Sequence, residues 1–472
     1  MKIKVLHLDP AQYTVKKPGD RVPLVRNPGA ILTQTPNHRQ REYMRALAAV
    51  KLGRMFAKPF VAALDGHSDS VEVIARSRSL LTPIFTGSAD GSINFWDLPA
   101  KRVVKRVDKA HTGFVRGIVV SNDNRVVYSV GSDKLIRAWR FDPDSFVKTT
   151  AIDAIEEEDE EDQSKSFEQA SLIKSLDGSS GFTSVDHHWS HSSQIATTCG
   201  QTVDVWDVFS SNSPIQSYQW GEAGLVSCRF NPSEVNLLAT TMTDNSIGLF
   251  DTRASSGIQK MYLKNRSNAV SWNPRDPFIF AVANDDGNVY QMDMRKVGGT
   301  KTPIARMHTG HVQGVIDVDF SPLGTELVSG GYDKTVRIFD LEAQKSREIY
   351  HTKRMQRVMA VSFTGDGRFV LSGSEDTNMR VWKAIANEKL GAVDAREKKA
   401  IEYRNKLRER YGHVDEIRRI GQHRHVPKWI KNEGKRRADH FESRRVADAN
   451  QVVVGKRDQK HKLEKPVTRI EQ

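Results

Sequence analysis

The chain is poor in cysteine. Two thiols, Cys199 and Cys228, stand among 472 residues, and neither has a second ligand-type residue at paired spacing. That excludes a disulfide framework and a cysteine zinc cluster, and it points to a reducing compartment. Long apolar runs are missing as well. None approaches the ~18–20 residues that a membrane-spanning helix needs. The opening Met1-Lys2-Ile3-Lys4-Val5 does not lead into an apolar h-region, so no secretory leader is expected. Catalytic signatures are also lacking: there is no Gly-x-Ser-x-Gly, phosphate loop, His-Glu-x-x-His or kinase set. His187-His188 and His423-Arg424-His425 are close-set histidines without further ligands, and they read as surface or RNA contacts rather than metal sites. The expectation is a non-enzyme with no cofactor, metal, membrane segment or small-molecule substrate.

What is present is charge, unevenly placed. The net charge is +13, from 71 basic and 58 acidic residues. Residues 1–55 carry a net +8 and residues 384–472 a net +10, whereas residues 56–383 carry −5. The middle owes its sign to Asp153 and Glu156 to Asp162, a run too dense in like charge to be buried. It reads as a solvated acidic loop at about 142–170.

The middle is a repeat array. Seven units end at Trp96, Trp139, Trp206, Phe250, Met292, Phe339 and Trp382, spaced 43, 67, 44, 42, 47 and 43 residues apart. The one long interval holds the acidic loop. Six residues before each end stand Asp90, Asp133, Gly200, Asp244, Asp286, Asp333 and Asp376, several in hairpin-turn pairs such as Asp90-Gly91. A third register is partial: Gly66-His67, Ala110-His111 and Gly310-His311 precede their aromatics by 28 or 29 residues. This is the Gly-His…Trp-Asp pattern of the WD repeat, four strands to a unit. A single blade cannot bury both faces, whereas seven stacked radially can. The expected fold is all-β, a seven-bladed WD-repeat β-propeller over 56–383. By resemblance, His67, Asp90, Trp96, His111, Asp133, Trp139, His311, Asp333 and Trp382 are structural, tied by hydrogen bonds within blades. The last unit has three inner strands, so Phe56–Leu64 is expected to complete it, with Pro59 at an edge where a missing N–H is tolerated.

The ends differ in kind. Residues 1–55 begin with Pro10, Pro18, Pro23, Pro28 and Pro36, and read as an extended arm that orders on a partner. A short helix follows over 41–52, with Tyr43, Leu47, Val50 and Met44 on its apolar face. Residues 384–472 form a basic helical tail: a charged helix over 393–410, a second over 414–420, then basic clusters interleaved with Tyr403, Tyr411, Trp429 and Phe441. No core is visible within it. Cations beside aromatics suit RNA backbone binding and nuclear import. Arg418, Arg419, Arg424, Lys428, Lys431, Arg436 and Arg437 are the expected phosphate contacts.

Arg41-Glu42-Tyr43, Lys51 to Phe60, the seven units, Tyr403 to Tyr411 and His423 to Lys428 together resemble the Sof (suppressor of fibrillarin) family of WD-repeat proteins, over essentially the full length. The resemblance implies a nucleolar ribosome biogenesis factor of the small-subunit processome. Its partners would be pre-ribosomal RNA, the U-three snoRNP and other processome proteins, in 18S rRNA processing. Related animal proteins are described as cullin-RING ligase substrate receptors, recognised by Asp-x-Arg boxes at consecutive blade ends. Asp251-Thr252-Arg253 and Asp293-Met294-Arg295 fit that spacing, so Arg253 and Arg295 are candidate contacts for a ligase adaptor.

Overall fold

The computed structural model describes residues 38–143, 171–254, 257–296, 303–454 and 467–471. The proline-rich arm and the acidic run lie outside these residues. The chain divides into two compact units, one from the segments up to Lys58 and Ile385–Arg424, the other from Pro59–Ala384 and His425 onward.

Among the described residues, seven antiparallel sheets form the propeller of the second unit. Blade one runs Val71–Arg76, Pro83–Ser88, Ile93–Asp97 and Arg102–Val107, and the other blades repeat that order. The first strand of each blade touches the first strand of the next, and Val71–Arg76 touches Val358–Phe363, so the ring is closed. Second strands such as Pro83–Ser88, Val126–Gly131 and Leu237–Met242 are buried at every position. Both faces of a blade pack on neighbours, which explains why these strands are not alternately polar. Neighbouring blades meet at glycine: a Cβ on Gly87 would come within 2.6 Å of Val115, and one on Gly373 within 2.8 Å of Val71 across the closure.

Blade seven is completed from the start of the propeller. Phe60–Leu64 pairs antiparallel with Met379–Lys383, Phe60 opposite Trp382 and Leu64 opposite Met379. The strand begins at Phe60, four residues later than the segment read from sequence. Pro59 sits just outside it and accepts the Lys383 N–H at 2.8 Å.

Side chains on the inner strands fasten one blade to the next. Asp186 accepts the Phe230 N–H at 2.7 Å, Asp317 the Val361 N–H at 2.8 Å and Asp319 the Phe363 N–H at 3.0 Å. Burial pushes the Asp317 carboxyl up to about 6 against the opposing pull of that N–H and of Arg229.

The first unit is a three-helix assembly: α1 (His38–Met55), α2 (Ala395–Tyr411) and α3 (Asp415–Gln422). Ala46, Leu47 and Val50 of α1 pack on Leu407 and Ile417, with Tyr43, Tyr403, Tyr411, Val414 and Ile420 around them. The sequence reading of a tail without a core needs correction here, because the core exists once α1 supplies half of it. Met44, expected on the apolar face, is 59% exposed. Glu42, 5% exposed, receives Arg410 at 2.7 Å and the Tyr411 hydroxyl at 3.0 Å, while the Tyr43 hydroxyl donates to Glu416. Arg408 donates to the Ala49 carbonyl at 2.8 Å and Arg54 to that of Gly421 at 2.7 Å. Leu407→Ala is expected to cost about 3 kcal/mol and to open residues 38–55 to limited proteolysis. Unchanged protection would show that α1 is held by other means.

The remaining tail belongs with the propeller. Helix α4 (Lys428–Val454) follows His425, and Val467–Glu471 adds a fifth strand to blade four, antiparallel to Gly257–Leu263.

Candidate functional site

The histidines of the Gly-His pairs are tied inside their blades. His111 Nδ1 faces Asp133 at 2.9 Å and its Nε2 faces Ser129 at 2.8 Å, and Trp139 Nε1 donates to the same hydroxyl at 2.9 Å. His311 repeats this with Asp333 at 3.0 Å and Ser329 at 2.6 Å, although Phe339 replaces the tryptophan. In blade one His67 lies between Ser92 at 3.0 Å and Thr86 at 2.6 Å, and Trp96 Nε1 donates to Thr86 at 2.7 Å. Asp90 here holds the Ser92 N–H at 2.8 Å rather than the ring. Trp382 donates to Ser372 at 2.8 Å. With both ring nitrogens engaged, these histidines have no free nitrogen for a substrate or metal. Among the described residues no cluster of three or more histidine, cysteine or carboxylate side chains could hold a metal ion.

His187 and His188 correct the sequence reading of exposed residues. They are 0% and 3% exposed, and they bond the Ser192 carbonyl at 3.0 Å and the Val235 carbonyl at 2.6 Å. An alternating strand end in polar text hides burial when neighbouring blades cover both faces. Both cysteines are free and buried, and burial raises the Cys228 thiol to about 12, so it stays protonated and unreactive.

Burial depresses the imidazoles of His67, His111, His187, His188, His308 and His311, that of His67 to about 4. In the unfolded chain they protonate near 6.5. Their contribution to stability is therefore present above about 6.5 and is lost as pH falls below it, for His67 by about 3 kcal/mol as pH falls toward 4. Asp317, raised to about 6, has the opposite sign and offsets part of this. The unfolding midpoint is expected to drop between about pH 7.5 and 5. A midpoint that rises on acidification would mean that the buried carboxylates dominate.

Arg253 and Arg295 occupy matching positions on blades four and five. Each folds back onto its own aspartate with two bonds, Arg253 to Asp251 at 3.0–3.2 Å and Arg295 to Asp293 at 3.1–3.2 Å. Their side chains are 74% and 56% exposed. Arg295 also lies 4.6 Å over the Phe278 ring.

The tail cations divide into two groups. Arg418, Arg419, Lys428, Lys431 and Arg436 are exposed. Arg418 and Arg436 make short-range ion pairs, with Asp415 at 2.7 Å and Glu433 at 3.4 Å. Arg424 donates to the Gly421 and His423 carbonyls at 2.6 and 3.0 Å. Arg437 donates to the carbonyls of His311 at 3.2 Å and Asp286 at 3.1 Å, which ties α4 to blades five and six. Where α4 is approached, the His425 carbonyl faces His351 Nε2 at 3.1 Å on blade seven. Arg437, one of the expected phosphate contacts, has its guanidinium engaged within the chain. Sequence carries no sign of this, since the acceptors are backbone oxygens.

The fold and these networks define a WD-repeat β-propeller protein with an appended helical tail. WD repeats match at 58–97, 102–140, 302–340 and 346–383, and the Sof1-like domain matches 384–468. The chain is 40% identical over 452 residues to DDB1- and CUL4-associated factor 13 of Xenopus tropicalis, covering 95% of this chain and 94% of that protein. It is 39% identical over 458 residues to the Homo sapiens protein of that name, covering 97% and 96%. Identity to Protein SOF1 of Saccharomyces cerevisiae is 37% over 443 residues, covering 91% and 87%. The chain belongs to the Sof1 family. Among solved structures, the WD40 propeller domain of Doa1 superposes with a TM-score of 0.54 at 18% identity, covering 69% of this chain and 96% of that one, a likeness of fold alone.

Proposed function

We propose that the protein is a non-catalytic assembly factor of the small-subunit processome. In this reading it works in the nucleolus, holding pre-ribosomal RNA, the U-three snoRNP and assembly proteins during 18S rRNA processing. Membership of the Sof1 family supports a role in ribosome biogenesis. The observation that carries the RNA part is the exposure of Arg418, Arg419, Lys428, Lys431 and Arg436, on a chain whose propeller region is net −5 by sequence. Exposed cations attract phosphate and release its counterions. The propeller supplies rigid protein-docking faces, and its close histidines are engaged within the fold. Ultraviolet crosslinking of the purified protein to pre-18S RNA is expected to mark peptides within 415–437. Crosslinks confined to the propeller would overturn that placement.

The twin arginine–aspartate pairs favour a second, compatible role as a substrate receptor of a cullin-RING ligase, in keeping with the names of the animal relatives. Arg253→Glu with Arg295→Glu is expected to reduce capture of a DDB1-type adaptor at least about tenfold and to leave incorporation into pre-ribosomes unchanged. Undiminished capture would remove this role from the two arginines.

A further inference from the structure

The hairpin turn of blade six and the loop entering blade seven meet at the end of the propeller that carries the Gly-His pairs. Lys334 of the turn donates to Gln356 of the loop at 2.5 Å, and the Arg357 guanidinium stands 5.5 Å over the ring of Tyr332. Tyr332 is 38% exposed. Lys353 and Arg354 project from the same loop, are exposed, and make no ion pair among the described residues. Carboxylates nearby are scarce or engaged. Glu375 reaches Arg357 at 3.8 Å, Asp333 is buried on His311, and Asp376 is paired with Arg380. The His425 carbonyl faces His351 Nε2 of this loop at 3.1 Å.

Turn geometry fixes where Lys334 stands. The residue after the turn aspartate adopts a left-handed conformation in blade after blade: Gly91 at φ 82°, Asn245 at φ 68°, Gly287 at φ 83°. Glycine and asparagine take that conformation readily, whereas lysine does so at a cost. Lys334 nevertheless adopts φ 60°. Thr377 and Lys134 do likewise, at φ 72° and 66°. Lys134 lies in a blade that also exposes a ring under a guanidinium, with Arg116 at 4.9 Å over Phe114. The blade-six turn thus holds a cation at its tip beside an exposed aromatic ring.

We propose that Tyr332, Lys334, Lys353, Arg354 and Arg357 form a binding site for single-stranded RNA, distinct from the tail. A base stacks on the open part of the Tyr332–Arg357 pair, and the flanking lysines and Arg354 take the phosphates on either side. An acidic protein segment would use the charges but not the flat platform. The site rests on the reading of the protein as an RNA-binding assembly factor, so the test separates the two.

The full chain is titrated with a pyrimidine-rich RNA single strand, the matching duplex and a polyglutamate peptide. A patch variant carries Tyr332→Ala and Lys334→Gly. A tail variant carries Arg418→Glu, Arg419→Glu, Lys428→Glu, Lys431→Glu and Arg436→Glu. The patch variant is expected to melt no lower than the parent, because Lys334→Gly relieves the turn. It is also expected to lose on the order of tenfold in single-strand affinity, and less on the duplex. Ultraviolet crosslinks at the 332–357 region should persist in the tail variant. Single-strand affinity of the patch variant within about twofold of the parent, or an equal loss on polyglutamate, overturns the site while the tail reading stands. RNA binding absent from the parent chain overturns both.

Discussion

Replacing Asp333 by alanine is expected to destabilise the propeller by about 3–5 kcal/mol, measured as a shift of the urea midpoint. The magnitude follows from what this carboxylate holds. Asp333 is fully buried and receives His311 Nδ1, the backbone N–H groups of Val312 and Thr335 at 3.2 and 3.1 Å, and the Thr335 hydroxyl at 2.7 Å. Arg337, itself 5% exposed, lies 3.9 Å away. Burial pushes the Asp333 carboxyl up, but the facing His311 and Arg337 and the Thr335 hydroxyl outweigh it and hold it well below the usual carboxylate range. Alanine leaves a buried guanidinium without its counter-charge and two buried N–H groups without acceptors. Asp333→Asn keeps the shape and one acceptor oxygen, so it should recover part of the loss. Asp90→Ala in blade one is the internal contrast. That carboxylate is half-buried, bonds Ser92 and Ser68, and does not touch His67, so a loss of about 1 kcal/mol is expected. If Asp333→Ala costs no more than Asp90→Ala, the buried network is not what stabilises blade six.

The difference between these two aspartates marks the limit of what the repeat pattern says. Period, turn residues and terminal aromatics made the seven blades legible, and three inner strands in the last unit called for a fourth from the start of the chain. Phe60–Leu64 supplies it. Yet Asp90 and Asp133 look alike in sequence, and one faces its histidine while the other does not. The three-helix unit was illegible for a different reason. Glu42 and Arg410 are 368 residues apart, and each half shows a narrow apolar stripe that reads alone as a solvated helix. Pairing across that distance leaves no local trace. One consequence is that a truncation after residue 390 removes the partners of α1 along with the tail cations, so loss from pre-ribosomes would not by itself report on RNA contact.

Charge reversal of the exposed tail cations avoids that ambiguity. Changing Arg418, Arg419, Lys428, Lys431 and Arg436 to glutamate is expected to lower affinity for pre-18S RNA by on the order of a thousandfold at about 0.15 M salt. Each phosphate contact on a single strand contributes about 0.7 to the slope of log K against log salt, so five contacts account for roughly three decades at that concentration. The slope itself should flatten by about 3.5, a readout that a folding defect would not mimic. The fold should tolerate the change. None of the five lies in a described core, and the ion pairs lost, Arg418 with Asp415 and Arg436 with Glu433, are exposed contacts one helical turn apart, worth a few tenths of a kcal/mol each. Arg424 and Arg437 serve as the controls. Both donate to carbonyls of their own chain, so Arg437→Ala should loosen α4 from blades five and six and leave the salt slope near that of the parent. A flattened slope in Arg437→Ala, or an unchanged one in the fivefold variant, would place the phosphate contacts on the wrong set of cations.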